Sequence, residues 1–133
     1  DFDKNNIMIK TIFRTENIYG YFDARALQHV MLNVLTNASD ALQGISSPRI
    51  SIVLSRTDYC VLIQVKDNGC GISDEQQKNL FKPFSTTKIH GTGLGLVNVR
   101  KMLAKMNGTI EIESRSDAGT LVTLTLPGGD SGA

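Results

Sequence analysis

Residues 61–72 read V-L-I-Q-V-K-D-N-G-C-G-I, and the fold turns on them. Val61, Ile63 and Val65 alternate with Leu62, Gln64 and Lys66, the period of a strand with one face in a core. Asp67 keeps the parity of the apolar set. Its carboxylate is therefore expected on the buried face, where an ionised group is costly without hydrogen-bond donors. Gly69 and Gly71 follow, and such a turn lets the main chain come close to something flat. Two readings suit this stretch: a turn that Asp67 caps for itself, or a pocket floor that reads a donor group of a ligand. A calcium loop is excluded, because positions 69 and 71 are glycine where oxygen ligands are needed.

Working outward, Arg49 to Arg56 forms the other arm of a hairpin around Thr57-Asp58, with Ile50, Ile52 and Leu54 alternating. Upstream, Asp23 is an N-cap for an amphipathic helix running to about Leu42. Its apolar residues are Leu27, Val30, Met31, Val34, Leu35, Ala38 and Leu42, and Gly44, Ser46, Ser47 and Pro48 stop it. Ile7 to Phe13 and Asn17 to Phe22 read as two short strands. Downstream, Ser73-Asp74-Glu75-Gln76 resembles a capping box opening a short helix to about Phe81. Pro83 to Gly93 is a loop. A third helix begins near Leu94, with Leu96, Val99, Leu103 and Met106 on its buried face and Gly108 as its C′ residue. Thr109 to Ser114 and Thr120 to Leu126 close the chain as a hairpin. The order β-β-α-β-β-α-α-β-β predicts an α+β two-layer sandwich. Three helices cover one face of a mixed, mostly antiparallel sheet. One domain spans 1–127, and 128–133 is a flexible tail or linker.

Composition narrows the function. The 133 residues suit one core, and 41% apolar with 20% charged is neither disordered nor fibrous. A formal net charge of +1 gives no electrostatic case for nucleic acid or an anionic membrane. No apolar run is long enough to span a bilayer, so direct membrane insertion is not expected. Cys60 and Cys70 form no metal-binding pair, and their use fits a reducing, cytoplasmic compartment. The chain opens at Asp1 and reads as one domain of something longer, whose parent can still be membrane-anchored.

Three further features bear on chemistry. Asn33, Asn37 and Asp40 stand at i, i+4 and i+7 of the first helix, in one stripe beside the apolar one. That stripe is either a solvated face or a row of oxygens lining a cleft, suited to a hard cation such as Mg²⁺. Gly91-Thr92-Gly93-Leu94-Gly95-Leu96 runs into a helix start, where free N–H groups cradle phosphate. It is neither a Walker A loop nor a dinucleotide fingerprint. Thr120 shares the core parity of Val122, Leu124 and Leu126, as an ordinary strand residue or as a hydroxyl reaching the Asp67 pocket.

Taken jointly, N-V-L-T-N-A-S-D-A-L (33–42), D-N-G-C-G-I (67–72), L-F-K-P-F (80–84), G-T-G-L-G-L (91–96) and G-T (119–120) occur in an informative order. The set resembles the catalytic ATP-binding domain of sensor histidine kinases, with a Bergerat-type fold. The resemblance implies that Asn33 and Asn37 form the family's asparagine box, with Asn37 on Mg²⁺. Asp40 stands where some sensor kinases carry a basic or polar residue; an acid there cannot pair with phosphate directly, and it is expected to hold Asn37, a neighbour or a metal-bound water. It implies that Asp67 bonds the adenine amine, that Gly69, Gly71 and Ile72 lie along the ring, and that Thr120 supports adenine through water. Phe81 and Phe84 flank an ATP lid, and Gly91, Thr92, Gly93, Leu94, Gly95 and Leu96 wrap the phosphates. The short lid S-T-T-K resembles the nitrogen-regulator subgroup, in which Lys88 meets a phosphate. The implied reaction transfers the γ-phosphoryl of Mg-ATP, with Asn33, Asn37 and Lys88 as catalytic residues. The acceptor is a histidine on a separate helical dimerisation/phosphoacceptor domain, and the receiver domain of a response regulator is a further implied partner. His29 and His90 do not stand in the acceptor's context. One alternative is a self-contained ATPase of the same fold. It needs a Glu where Asn33 stands, and an amide takes no proton at neutral pH. A non-catalytic ATP-sensing module is the other.

Overall fold

The computed structural model describes residues 8–13, 19–20, 24–57, 59–73, 95–114 and 118–129. Six strands and two helices lie among them: β1 (Met8–Phe13), β2 (Tyr19–Gly20), α1 (Ala24–Ala41), β3 (Arg49–Arg56), β4 (Cys60–Asp67), α2 (Gly95–Lys105), β5 (Thr109–Ser114) and β6 (Thr120–Gly129). The helix expected over 73–81, the lid and the residues beyond Gly129 fall outside the described residues.

The strands form one sheet in the order β1-β3-β4-β6-β2, with β5 also paired to β6. β1 runs parallel to β3 and every other pairing is antiparallel, so the sheet is mixed as expected. One register decides the site: Asp67 stands opposite Thr120, and Thr120 stands opposite Ser114. Three polar residues thus form a row across β4, β6 and β5.

The core lies between the helices and one sheet face. Val30, Val34, Ala38 and Leu42 come from α1, and Val99 and Leu103 from α2. Ile50, Val61, Ile63, Val65, Leu124 and Leu126 rise from the sheet to meet them. Leu27, Met31, Leu35, Met102 and Met106 pack half-buried around this set. α1 and α2 pack side by side, α1 against β4 and α2 against β5. No helix among the described residues is long and apolar enough to cross a membrane.

Of the strand expected over Asn17 to Phe22, Tyr19–Gly20 are described and form β2, and the rest lies outside the described residues. Two boundaries differ from the sequence reading. β6 continues past Leu126 into the segment expected as a tail, because Gly128 and Gly129 find ladder partners in Gly20 and Tyr19. The second concerns the end of α2. Asn107, not Gly108, takes the left-handed conformation, at φ 58°. Gly108 N–H donates to Leu103 O at 2.7 Å and Asn107 N–H to Ala104 O at 3.1 Å, the paired bonds of a Schellman cap. Gly108 is needed for space instead. A Cβ there meets Leu126 Cδ2 at 2.7 Å and Thr125 O at 2.9 Å.

Candidate functional site

The alternation of β4 carries its side chains in and out until Asp67, which is buried with the apolar set, at 6% exposure. Thr120, across the ladder, is 8% exposed. They are the only polar residues in the buried class among the described residues. Gly69 N–H donates to Asp67 Oδ1 at 2.8 Å, and the Thr120 N–H also bonds the carboxylate. Burial outweighs these two donors and holds the Asp67 carboxyl above its ordinary value. A carboxylate has about four lone-pair sites. This one therefore keeps acceptor capacity for a ligand's donor, in a place where an unanswered charge is costly.

The loop after Asp67 is shaped by contact with α1. The last turn of α1 tightens: Leu42 N–H donates to Ser39 O and Ile45 N–H to Leu42 O, and Gly44 turns the chain at φ 78°. The Ala41 carbonyl accepts from Cys70 N–H at 3.1 Å. Gly69 lies under that joint. A Cβ on it stands 2.5 Å from Ala41 O and 2.9 Å from Asp67 Oδ1, so no side chain fits. Gly119, on the other side, is at φ 84° with its phantom Cβ 2.3 Å from Asp67 O. The Asp67 peptide is thus gripped by two glycines.

Asn68 secures the same loop to the start of β3. Its Oδ1 accepts from Arg49 N–H at 2.7 Å, and its Nδ2 donates to Ser47 O at 3.1 Å. Ser114 closes the row from the far side. Its Oγ accepts from Ile72 N–H at 2.7 Å, donates to Gly119 O at 2.9 Å, and lies 2.8 Å from Thr120 Oγ1. Neither Asn68 nor Ser114 is among the residues singled out from sequence. Ser114 shares parity with Ile110 and Ile112, the signal that exposes Asp67 and Thr120, and it answers to the same argument.

On α1, Asn33, Asn37 and Asp40 are half-buried along the edge of the core stripe. Asn37 stands one turn before Ala41, so the helix brings it to the same end of the sheet as Asp67. Asn33 Nδ2 donates to His29 O at 3.1 Å, which ties its amide to the preceding turn. His29 itself is exposed. Gly95 and Leu96 open α2. The structure thus gathers Asp67, Gly69, Gly71, Ile72 and Thr120 at one end of the sheet beside the helix that bears Asn33, Asn37 and Asp40. Phe81, Phe84, Lys88, Gly91, Thr92, Gly93 and Leu94 lie outside the described residues.

No group of three His, Cys, Asp or Glu among the described residues could hold a metal ion. A caged structural metal is therefore not offered by this part of the chain. Amide and carboxylate oxygens on one helix suit an ion that completes its shell with water and a ligand's phosphates, which is the habit of Mg²⁺.

A layer of helices on a mixed sheet, with a buried acceptor at one end and a glycine loop docked on an amphipathic helix, is the arrangement expected from the resemblance to a Bergerat-type ATP-binding domain. Residues 22–130 match the family described as histidine kinase-, DNA gyrase B-, and HSP90-like ATPase, and the chain belongs to that family. Sporulation kinase D of Bacillus subtilis is 41% identical over 101 residues, 76% of this chain and 20% of that protein. The signal transduction histidine-protein kinase AtoS of Escherichia coli is 39% identical over 105 residues, 79% of this chain and 17% of that protein. The chain thus spans about a fifth of the length of these relatives. In three dimensions it is similar to the nucleotide-free catalytic domain of histidine kinase ThkA. The TM-score is 0.83 at 28% identity, covering 97% of this chain and 85% of that one.

Proposed function

We propose that this chain is the catalytic domain of a two-component sensor histidine kinase, binding Mg-ATP and presenting the γ-phosphoryl to a histidine on a separate helical phosphoacceptor domain. The observation that carries the reading is the buried Asp67–Thr120 pair beside the glycine loop, in a chain whose curated relatives are sensor and sporulation kinases. Asp67 and Thr120 take the adenine end, with Gly69, Gly71 and Ile72 along the ring. Asn37 is the metal ligand, Asn33 lines the phosphate end, and Asp40 holds Asn37, a neighbour or a metal-bound water. Lys88 and the 91–96 glycine box hold the phosphates, with Phe81 and Phe84 flanking the lid. When bound, Mg²⁺ neutralises phosphate charge and orients the β- and γ-phosphates. The chain's own work is positioning. The acceptor imidazole nitrogen forms a bond to phosphorus as the bond to the ADP oxygen breaks.

A self-contained ATPase is disfavoured by Asn33. Its amide donates to the His29 carbonyl, and an amide does not take a proton from water at neutral pH. The phosphorylated histidine would then serve a response regulator's receiver domain. The domain occupies the cytoplasmic part of its parent.

The deciding experiment mixes the purified chain with the separately expressed histidine-bearing helical hairpin of its parent kinase and γ-labelled ATP. Acid-labile label is expected on the hairpin and none on this chain. Acid-labile label on His29 or His90, or steady phosphate release without the hairpin, overturns the proposal.

A further inference from the structure

Ser114 lies one strand beyond Thr120 and is assigned no role in the reading above, yet it is the node of the base-end network. Among the described residues, Ile72, Gly119 and Thr120 each meet its Oγ. Ile72 N–H, at 2.7 Å, can only donate. The Gly119 carbonyl, at 2.9 Å, can only accept. Thr120 Oγ1, at 2.8 Å, can do either. A serine hydroxyl has one hydrogen and two lone pairs. With that hydrogen on Gly119 O and one lone pair on Ile72 N–H, the remaining lone pair faces Thr120, which must supply its own hydrogen. Thr120 Oγ1 is then left with lone pairs only.

We infer that Ser114 is a positioning residue that polarises Thr120, turning the Asp67–Thr120 pair into an acceptor-only reader of the base. This rests on the adenine-site reading above and extends it to a residue that need not touch the ligand. Two neighbouring acceptors suit an exocyclic amine, which has two hydrogens to give, directly or through water. They repel a base that carries a carbonyl oxygen at the same place. Without Ser114, the Thr120 hydroxyl is free to rotate and donate, and the pair would accommodate either kind of base. Ser114 also anchors the Ile72 end of the glycine loop, so a loss of affinity alone does not distinguish polarisation from packing. A change in selectivity does.

The test is competition binding of ATP and inosine triphosphate, which differ at the six position and in the proton on N1, to the wild-type chain and to Ser114→Ala, Ser114→Thr and Thr120→Val. Wild type is expected to prefer ATP. Ser114→Ala should narrow that preference about tenfold, the value of one well-made hydrogen bond exchanged for a poor one. Ser114→Thr retains a hydroxyl and should restore the wild-type ratio. Thr120→Val removes the polarised group and should narrow the ratio while leaving the Ser114 bonds to Ile72 and Gly119 in place. Equal weakening of both nucleotides by Ser114→Ala, at an unchanged ratio, overturns the inference and leaves a packing role. Should Ser114→Ala fail to fold, an unchanged ratio in Thr120→Val overturns it equally. A wild-type chain that binds both nucleotides alike refutes the adenine-site reading itself, a separate failure.

Discussion

Replacing Gly69 with alanine adds one methyl group at the most crowded joint of the site. The new Cβ would sit 2.5 Å from the Ala41 carbonyl oxygen and 2.9 Å from Asp67 Oδ1, against about 3.4 Å for ordinary contact. Both neighbours are held, one by the backbone of α1 and the other by its own hydrogen bonds, so the loop must retreat by roughly 1 Å. That motion stretches the 3.1 Å bond from Cys70 N–H to Ala41 O past useful range and tilts the 2.8 Å bond from Gly69 N–H to Asp67. A neutral bond contributes about 1 kcal/mol and one to a charged group about 1.5–3 kcal/mol, so the loss is about 2.5–4 kcal/mol. Detachment of the loop alone caps the cost, because the core does not depend on this contact. At about 3–5 °C per kcal/mol for a chain of this size, the midpoint should fall by roughly 8–20 °C. Thermal melting and nucleotide titration measure the two effects. Gly44→Ala is the control: a Cβ there meets nothing within 4 Å, and only the φ of 78° is penalised. It should cost about 1 kcal/mol and leave nucleotide affinity unchanged. If Gly69→Ala melts within a degree or two of wild type and binds nucleotide as well, the joint is not what shapes the site.

Three further outcomes are expected. Burial raises the folded-state pKa of Asp67 above the 3.8 of a free side chain, so its ionisation opposes folding: stability is fullest below pH 3.8 and falls as pH rises through the folded value. Asp67→Asn should therefore stabilise the ligand-free chain at pH 7, with the gain fading towards pH 4, while weakening ATP binding; urea melts across pH check it, and destabilisation at pH 7 would contradict it. Asn37→Ala should weaken Mg-ATP far more than metal-free ATP in calorimetric titrations, and equal losses would mark a packing role. Asn68→Ala removes bonds of 2.7 and 3.1 Å to Arg49 and Ser47. It should cost about 1–2 kcal/mol and speed hydrogen exchange at the Arg49 amide.

Strand parity alone points to the buried polar pair of the candidate site. Asp67 and Thr120 sit at core positions of alternating strands, and a buried polar residue is informative because burial is costly. Their meeting followed from the register of β4 on β6. Ser114 obeys the same rule, but a serine at a strand end also reads as the start of a turn, and only the pairing of β5 with β6 sets it beside Thr120. Asn68 was illegible for another reason. Its partners, Ser47 and Arg49, are far along the chain, and the bonds form only once the β3–β4 hairpin has closed. At the end of α2 the sequence reading places Gly108 in the left-handed position, and Asn107 takes it instead. Asparagine tolerates it, and the proximity of β6 reserves the glycine for another purpose. The family resemblance rests on motifs spread over much of the chain, and the match over 22–130 bears it out.

The joint between Ala41 and Cys70 is built from main chain on both sides, and this bears on how the protein can diverge. A carbonyl, an amide and a missing side chain set the separation between the helix of Asn37 and the strand of Asp67, so nothing at the joint is encoded by side-chain chemistry. The exposed Cys70 side chain can be exchanged for many others without resetting that span. Inheritance can thus rewrite the surface beside this joint while its gauge stays the same, provided the one letter at position 69 does not grow a methyl group.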